Sequence, residues 1–307
     1  MTDPTFGDRL DRWLLKKGFR VKLPLLALGL IEVRRMAACA CAHLRHRREA
    51  RMLTRGAWRD YIDRQLGYRI FQPNAFPESA RIVSAGAAVF ERHRELATQN
   101  EAMNKRYFYN ILTVEDLAAY RVLIEFAMSE NVVAAVAGYF GHAPRLHSIG
   151  VFYSSVNDSL DGSQLFHVDG DARSQVKCFV NIWNVDAGNG PFIFLPKSVT
   201  SRTLRHGGLL KLLSDADVHR AVPSEHHVAV HGPPGAGVFV DTSRCLHQGS
   251  RARERPRLVF QFQYVSRPDS LPPRNFAKKV TGGHIYVTNE LLSALGLADA
   301  RTAMLVN

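Results

Sequence analysis

A chain of 307 residues that is 46% hydrophobic and 22% charged can bury a large core, and its composition excludes a disordered, collagen-like or disulfide-framed protein. Its formal charge of +12 is unevenly spread, because residues 1–64 hold 15 Lys or Arg against 7 Asp or Glu. The four cysteines, Cys39, Cys41, Cys178 and Cys245, lack zinc-ligand spacing and point to a reducing cytoplasm.

The first element met along the chain is the apolar run Leu23–Ile31. It falls well short of the ~20 residues that cross a bilayer as a helix. Glu32, Arg34 and Arg35 follow it, where a signal peptide would have small neutral residues. Two readings stay open: a helix buried in the fold, or an interfacial segment flanked by Lys16, Lys17, Arg20, Lys22, Arg34 and Arg35. The second implies peripheral association with an anionic membrane surface at its inner face.

Up to about residue 140 the pattern is mainly helical. It is clearest over 114–140, where Leu117, Tyr120, Val122, Leu123, Phe126 and Ala127 recur near three-four spacing before the run Val132–Tyr139. Gly138, Gly141 and Pro144 are expected to break it. After residue 145 the signal changes to short strands rich in β-branched and aromatic residues: Ile149–Tyr153, Val176–Trp183, Phe192–Leu195, His227–Val230, Gly237–Val240 and Leu258–Tyr264. Asn189-Gly190-Pro191 and Gly232-Pro233-Pro234-Gly235 read as turns. Residues 203–220 read as a helical insertion, and Thr288 as the cap of a short helix stopping at Gly296. The expected fold is α+β, a jelly-roll (double-stranded β-helix, cupin-like) core with an N-terminal helical region. Its parts are a basic helical segment 1–64, a helical region 65–144 packing on the barrel, the core 145–270 and a C-terminal extension 271–307.

Within the strand-rich part stands Phe166-His167-Val168-Asp169-Gly170, and 80 residues after His167 comes His247 in Cys245-Leu246-His247-Gln248-Gly249. In an extended segment residues i and i+2 point the same way, so His167 and Asp169 can reach one point while Val168 faces away. A third ligand from a distant strand would close one face of an octahedron and leave the other open. Two imidazoles and a carboxylate so placed suit Fe(II), whereas a structural zinc site is filled by four protein ligands.

Three ordered stretches carry a resemblance: Gln164–Asp169; Phe179–Asp186 leading to Asn189–Ser198; and Gly237–Asp241 before His247. Over about residues 148–265 the chain resembles the phytanoyl-CoA dioxygenase-like family of iron/2-oxoglutarate oxygenases. The resemblance implies that His167, Asp169 and His247 hold Fe(II), which binds 2-oxoglutarate and then O2. It also implies a basic residue about ten positions after the distal histidine, opening the next strand. Arg257 stands there, with Arg255, Arg251 and Arg253 nearby as alternatives. A guanidinium fork matches the far carboxylate of 2-oxoglutarate at two points. Many relatives have Ser or Thr two residues later; here it is Val259, so a second contact must come from elsewhere.

Lys177 and Asn181, at alternate positions of one strand, are further cosubstrate candidates, as is Gln164, while Gln261 could orient a ligand from behind. Trp183 and Phe179 read as core. His226, His227 and His231 read as a strand end and loop rather than a metal cluster. An intact carboxylate at Asp169 implies hydroxylation rather than halogenation. The expected substrate is an anionic small molecule, lipid or envelope sugar, such as the 3-deoxy-octulosonic acid of lipopolysaccharide. A nucleic-acid demethylase of the same chemistry is an alternative, although the strands lack basic-aromatic interleaving for stacked bases. A non-catalytic jelly-roll binding protein is the other.

Overall fold

The computed structural model describes residues 44, 47–54, 57–98, 107–170, 172, 174–203, 212–266, 283–299, 302 and 305–306. Leu23–Ile31, its flanking basic residues, Cys39 and Cys41 lie outside the described residues.

Strands β1 (Tyr68–Phe71), β2 (Tyr109–Asn110), β3 (Pro144–Ser154), β4 (Gln175–Asn181), β5 (Phe192–Phe194), β6 (Val228–Val230), β7 (Gly237–Asp241), β8 (His247–Gln248), β9 (Arg257–Ser266) and β10 (Ile285–Tyr286) form two antiparallel sheets. The larger runs β1-β7-β4-β9-β3-β10, with β2 beside β3, and the smaller runs β6-β5-β8. A bridge between His167 and His247 extends the smaller sheet by the segment that carries Asp169. From β4 to β9 the chain passes back and forth between the sheets, β4 in the larger, the hairpin β5-β6 in the smaller, β7 in the larger, β8 in the smaller and β9 in the larger, which makes the fold a double-stranded β-helix.

Period-two alternation gives the larger sheet two unlike faces. From β9, Leu258, Phe260, Phe262 and Tyr264 face outward into the main core. There they meet helices α1 (Ser79–Arg92), α3 (Val114–Ala119), α4 (Val122–Ala127) and α5 (Glu130–Phe140), the short α2 (Arg94–Thr98) having followed α1. The intervening Arg257, Val259 and Gln261 face the barrel interior, where Val259 joins Phe152, Phe179, Phe192, Val238 and Val240. Register aligns the inner rows: Gln261 lies opposite both Phe179 of β4 and Gly150 of β3.

The helices form for local reasons. α1 buries Ile82, Ala85, Gly86, Val89 and Phe90 at three-four spacing, an apolar stripe against the sheet. Thr113 caps α3, its hydroxyl accepting from the Asp116 amide while the Asp116 carboxylate takes the Thr113 amide. The stretch Val122–Phe140 is long and apolar enough to cross a membrane, but 72% of it is buried inside the protein, as in a core helix pair.

Some expectations need correction. The region read as mainly helical contains β1 and β2. β1 has only four residues and exists by pairing with β7, Tyr68 opposite Val240 and Phe71 opposite Gly237. Gly138 does not break its helix: it lies inside α5, where an added Cβ would come within 1.9 Å of the Arg59 carbonyl oxygen. Close approach of the neighbouring 3-10 turn Ala57–Asp60, not helix termination, requires glycine there. Around the expected insertion at 203–220 stand α6 (Lys197–Thr203) and α7 (Asp215–Ala221), with 204–211 outside the described residues. Helix α8 (Asn289–Ala294) is capped by Thr288 and is followed by Gly296 at φ +65.

Candidate metal centre and its cavity

His167 and His247 sit side by side because their backbones exchange hydrogen bonds in both directions, each 2.9 Å. The Asp169 amide donates to the Thr242 carbonyl at 2.9 Å, placing its side chain on the same side as His167. Each imidazole is aimed by its own strand: Nδ1 of His167 donates to the Leu165 carbonyl at 2.8 Å, and Nδ1 of His247 to the Cys245 carbonyl at 2.9 Å. In that tautomer Nε2 of each ring is the nitrogen that can act as a metal ligand. Nε2 of His167 lies 3.7 Å from Oδ1 of Asp169, and Nε2 of His247 lies 3.6 Å from Oδ2. One ligand atom from each of the three falls within 4.8 Å of the others. Among the described residues this is the one such group of three or more.

A supporting layer holds the carboxylate. Gln175 Nε2 and Lys177 Nζ both donate to Oδ2 of Asp169, each at 2.8 Å, and Gln175 also donates to Thr242 Oγ1 at 2.9 Å. Oδ1 lies toward His167 and Oδ2 toward His247. Burial raises the Asp169 pKa, but the nearby charge of Lys177, the largest opposing influence, together with its place beside the two histidines outweighs burial and holds the group ionised. Burial also pushes His247 down to about 3, aided by His167 and Lys177 against the pull of Asp169, so its ring is a neutral base. Upstream, Asp241 ties the turn that delivers His247. Its side chain accepts from Tyr139 Oη at 2.7 Å and from the Ser243 amide at 3.1 Å, and its carbonyl accepts the Cys245 amide at 2.8 Å.

The three ligand side chains line a cavity of about 360 Å³ together with Lys177, Phe179, Phe192, Ser250, Arg257 and Gln261. Its apolar wall includes Phe179 stacked on Phe192 at 4.6 Å and Phe108 stacked on Phe152 at 4.5 Å. Arg257 is 3% exposed, donates from Nη2 to Ser250 Oγ at 3.1 Å, and leaves Nε without a partner. Burial lowers its pKa to about 10, and no carboxylate pairs with it among the described residues. The three alternatives lie elsewhere, each with its own acid: Arg251 with Asp215 at 2.7 Å, Arg253 with Asp158 at 3.1 Å, Arg255 with Asp186 at 2.7 Å. Gln261 is 2% exposed and its Nε2 is also without a partner. Buried polar atoms are rarely left so, and two of them face a cavity that holds a metal-ligand set.

Lys177 and Arg257 are brought to the cavity; Asn181 and Gln164 are not. Asn181 donates to the Gly232 carbonyl at 3.2 Å, bracing the turn after β6. Gln164 is fully buried with both ends of its amide engaged, donating to Asn157 Oδ1 at 2.8 Å and the Ser250 carbonyl at 2.9 Å and accepting from Ser159 Oγ at 2.9 Å. It organises the loop before His167. Phe179, read as core, is also cavity wall, whereas Trp183 packs on the outer core. His227 stacks on His219 at 5.1 Å, and neither belongs to a metal-ligand group.

Gln175, Ser250 and Phe108 were not singled out by sequence. Gln175 was findable, since it precedes Lys177 by two and shares its face of β4. Ser250 gave no signal: its left-handed backbone, φ 65, is unique among the described non-glycine residues and aims its hydroxyl at Arg257. Phe108 reaches the cavity only through the pairing of β2 with β3.

No family model matches the sequence, and no curated protein matches it. Among solved structures, the chain is similar to AviO1 from Streptomyces viridochromogenes Tue57, at 17% identity, TM-score 0.46, covering 69% of this chain and 94% of that one. It is similar to EctD from S. alaskensis with 2-oxoglutarate and 5-hydroxyectoine, at 16% identity, TM-score 0.45, covering 73% and 83%. It is also similar to HygX from Streptomyces hygroscopicus with nickel and 2-oxoglutarate bound, at 15% identity, TM-score 0.41, covering 66% and 84%.

Proposed function

We propose that the protein is an Fe(II)/2-oxoglutarate-dependent oxygenase that hydroxylates an unactivated C–H bond, with the architecture of the phytanoyl-CoA dioxygenase-like family. One observation carries the reading: a two-histidine, one-carboxylate set and a buried arginine with no counter-ion among the described residues line the same cavity. A divalent metal fits the set, because two imidazole Nε2 atoms and an ionised carboxylate come within 4.8 Å of one another at the cavity wall. A dicarboxylate fits the other end, because the Arg257 fork needs an anion to offset its burial. His167, Asp169 and His247 would hold the iron, which when bound supplies the oxidising chemistry of O2 coupled to 2-oxoglutarate decarboxylation.

The chain's own residues orient and exclude. Arg257 anchors the far carboxylate, with Ser250 Oγ positioned beside it as the second contact. The Gln261 amide, unengaged on the adjacent wall, donates to a bound oxygen. Phe179 and Phe192 keep water from the cosubstrate side, and Phe108 and Phe152 offer a stacked surface to the substrate. Gln175 and Lys177 keep Asp169 from turning away from the metal. The substrate we propose is an anionic small molecule, lipid or envelope sugar, for example the 3-deoxy-octulosonic acid of lipopolysaccharide, handled in the cytoplasm or at the inner membrane face. The basic surplus of residues 1–64 supports that reading.

The test is calorimetric binding of Co(II) and then 2-oxoglutarate, followed by Fe(II)-dependent conversion of 2-oxoglutarate to succinate with candidate substrates. Ordered binding, with 2-oxoglutarate affinity dependent on the metal and on Arg257, is the expected result. Tight metal binding with 2-oxoglutarate affinity indifferent to Arg257 would overturn the cosubstrate assignment, and no metal binding would overturn the whole reading.

A further inference from the structure

On the far side of helix α5 lies a second hollow, of about 430 Å³, lined by Arg47, Arg51, Arg59 and Arg64 around a floor of Ala50, Thr54, Ala137, Gly138 and Gly141. The rest of its lining among the described residues is made of small residues. Arg64 alone is committed, donating to the Gly138 carbonyl near the end of α5. The other three make no ion pair among the described residues. Several exposed arginines elsewhere do: Arg92 with Asp116, Arg94 with Glu91, Arg121 with Glu125 and Arg220 with Asp217, although Arg69 and Arg81 do not.

This concentration of like charge is costly. Arg47 and Arg51 stand one helical turn apart in the helical stretch 47–53, a like-charge spacing that opposes helix formation. Arg59 is brought onto the same spot by the 3-10 turn, whose backbone presses on Gly138 so closely that only glycine fits. The C-terminal end of α5 offsets part of the repulsion, but its nearest free carbonyl is already taken by Arg64. Three arginines lining one hollow, with no carboxylate among its described lining residues, suit a phosphoryl group, whose several oxygens accept paired N–H donors.

We propose that this hollow binds the phosphate of an anionic lipid and seats the protein on an acidic membrane surface. A lipid fits better than free phosphate for two reasons. The helical stretch 47–53 exposes Arg48 beside Arg47 and Arg51, a density of charge that acts over a whole charged surface. Met52, in the same helical stretch, is 54% exposed and offers an apolar side chain to a bilayer beside the arginines. The site is separate from the metal cavity, so its failure would leave the proposed chemistry untouched.

The experiment is co-sedimentation of the full chain with phosphatidylcholine vesicles, with and without phosphatidylglycerol. The variant Arg47→Gln/Arg51→Gln/Arg59→Gln is compared with Arg81→Gln/Arg94→Gln/Arg220→Gln, which removes the same charge elsewhere. Melting curves confirm that both are folded. Binding to the acidic vesicles should weaken on the order of 100-fold in the first variant, and within about twofold in the second, as expected for surface charges away from the contact. Equal losses in both variants would overturn the site in favour of diffuse charge. An unchanged first variant would overturn it outright. Millimolar inorganic phosphate that raises the melting temperature of the wild type alone, with vesicle binding unaltered by the substitutions, would make it a free-phosphate site and overturn the lipid assignment.

Discussion

The two faces of the larger sheet are built from alternate residues of the same strands, yet they follow opposite rules. Outward, β9 presents Leu258, Phe260, Phe262 and Tyr264 to helices α1, α4 and α5, all fully buried among apolar neighbours. Inward, it presents Arg257 and Gln261, equally buried, each with a polar nitrogen that no described residue satisfies. The outer face is arranged for stability and the inner one departs from it, which is the signature of a binding site held in place by its own scaffold.

The sharpest way to break that contrast is at the metal ligands. Asp169→Ala or His247→Ala should abolish Fe(II)-dependent consumption of 2-oxoglutarate and also the rise in melting temperature that Co(II) gives the wild type, since only a metal held by the folded state stabilises it. A persistent melting shift would place the metal elsewhere. Next in size, Phe262→Ala on the outer face should cost about 3–5 kcal/mol in denaturant unfolding, with affinity for 2-oxoglutarate unchanged. Arg257→Leu on the inner face should do the reverse. The melting temperature should hold or rise, because a buried unpaired charge is removed, while 2-oxoglutarate binding weakens on the order of 100-fold, as two charge-assisted bonds are lost. Arg255→Leu, which gives up only its exposed pair with Asp186, should alter that binding by less than about twofold.

Acid should sharpen the contrast further. Burial holds His247 near 3 in the folded metal-free protein against an ordinary 6.5, so between those values the unfolded chain takes a proton that the folded one refuses. Stability is therefore complete above about 6.5 and is lost as pH falls towards 3. His247→Gln should flatten that part of the stability curve, measured by urea unfolding at successive pH values. The smallest effect concerns the thiols. Burial pushes Cys178 and Cys245 well above the ordinary range, so mass mapping after iodoacetamide at pH 8 should find both unmodified until the protein unfolds. Rapid labelling of Cys245 would mean that the turn delivering His247 opens in the native state.

How much of this was legible beforehand differs by residue. His167 and Asp169 were readable because strand geometry alone puts i and i+2 on one side, and Arg257 because it opens an apolar strand. Lys177 was readable as facing inward, but not as a partner of Asp169. Gln164 and Asn181 looked equally suitable as polar residues near the motif. Their amides turn instead to Asn157, Ser250 and Gly232, partners fixed by loops with no sequence period. β1 was hidden by its brevity, and Gly138 by the resemblance of a packing glycine to a helix stop.

By itself the sequence determined the alternation of the strands, the capped helices, and a two-histidine, one-carboxylate set in the right order, because these depend on spacing along a regular backbone. Tertiary structure alone decided which arginine stands unpaired in the cavity, since Arg251, Arg253 and Arg255 each find an acid 36 to 95 residues away. It alone decided that Ser250 reaches Arg257, and that four arginines spread over residues 47–64 meet in one hollow. Charge pairing and burial are properties of distance in space, and the chain sets that distance only once it has folded.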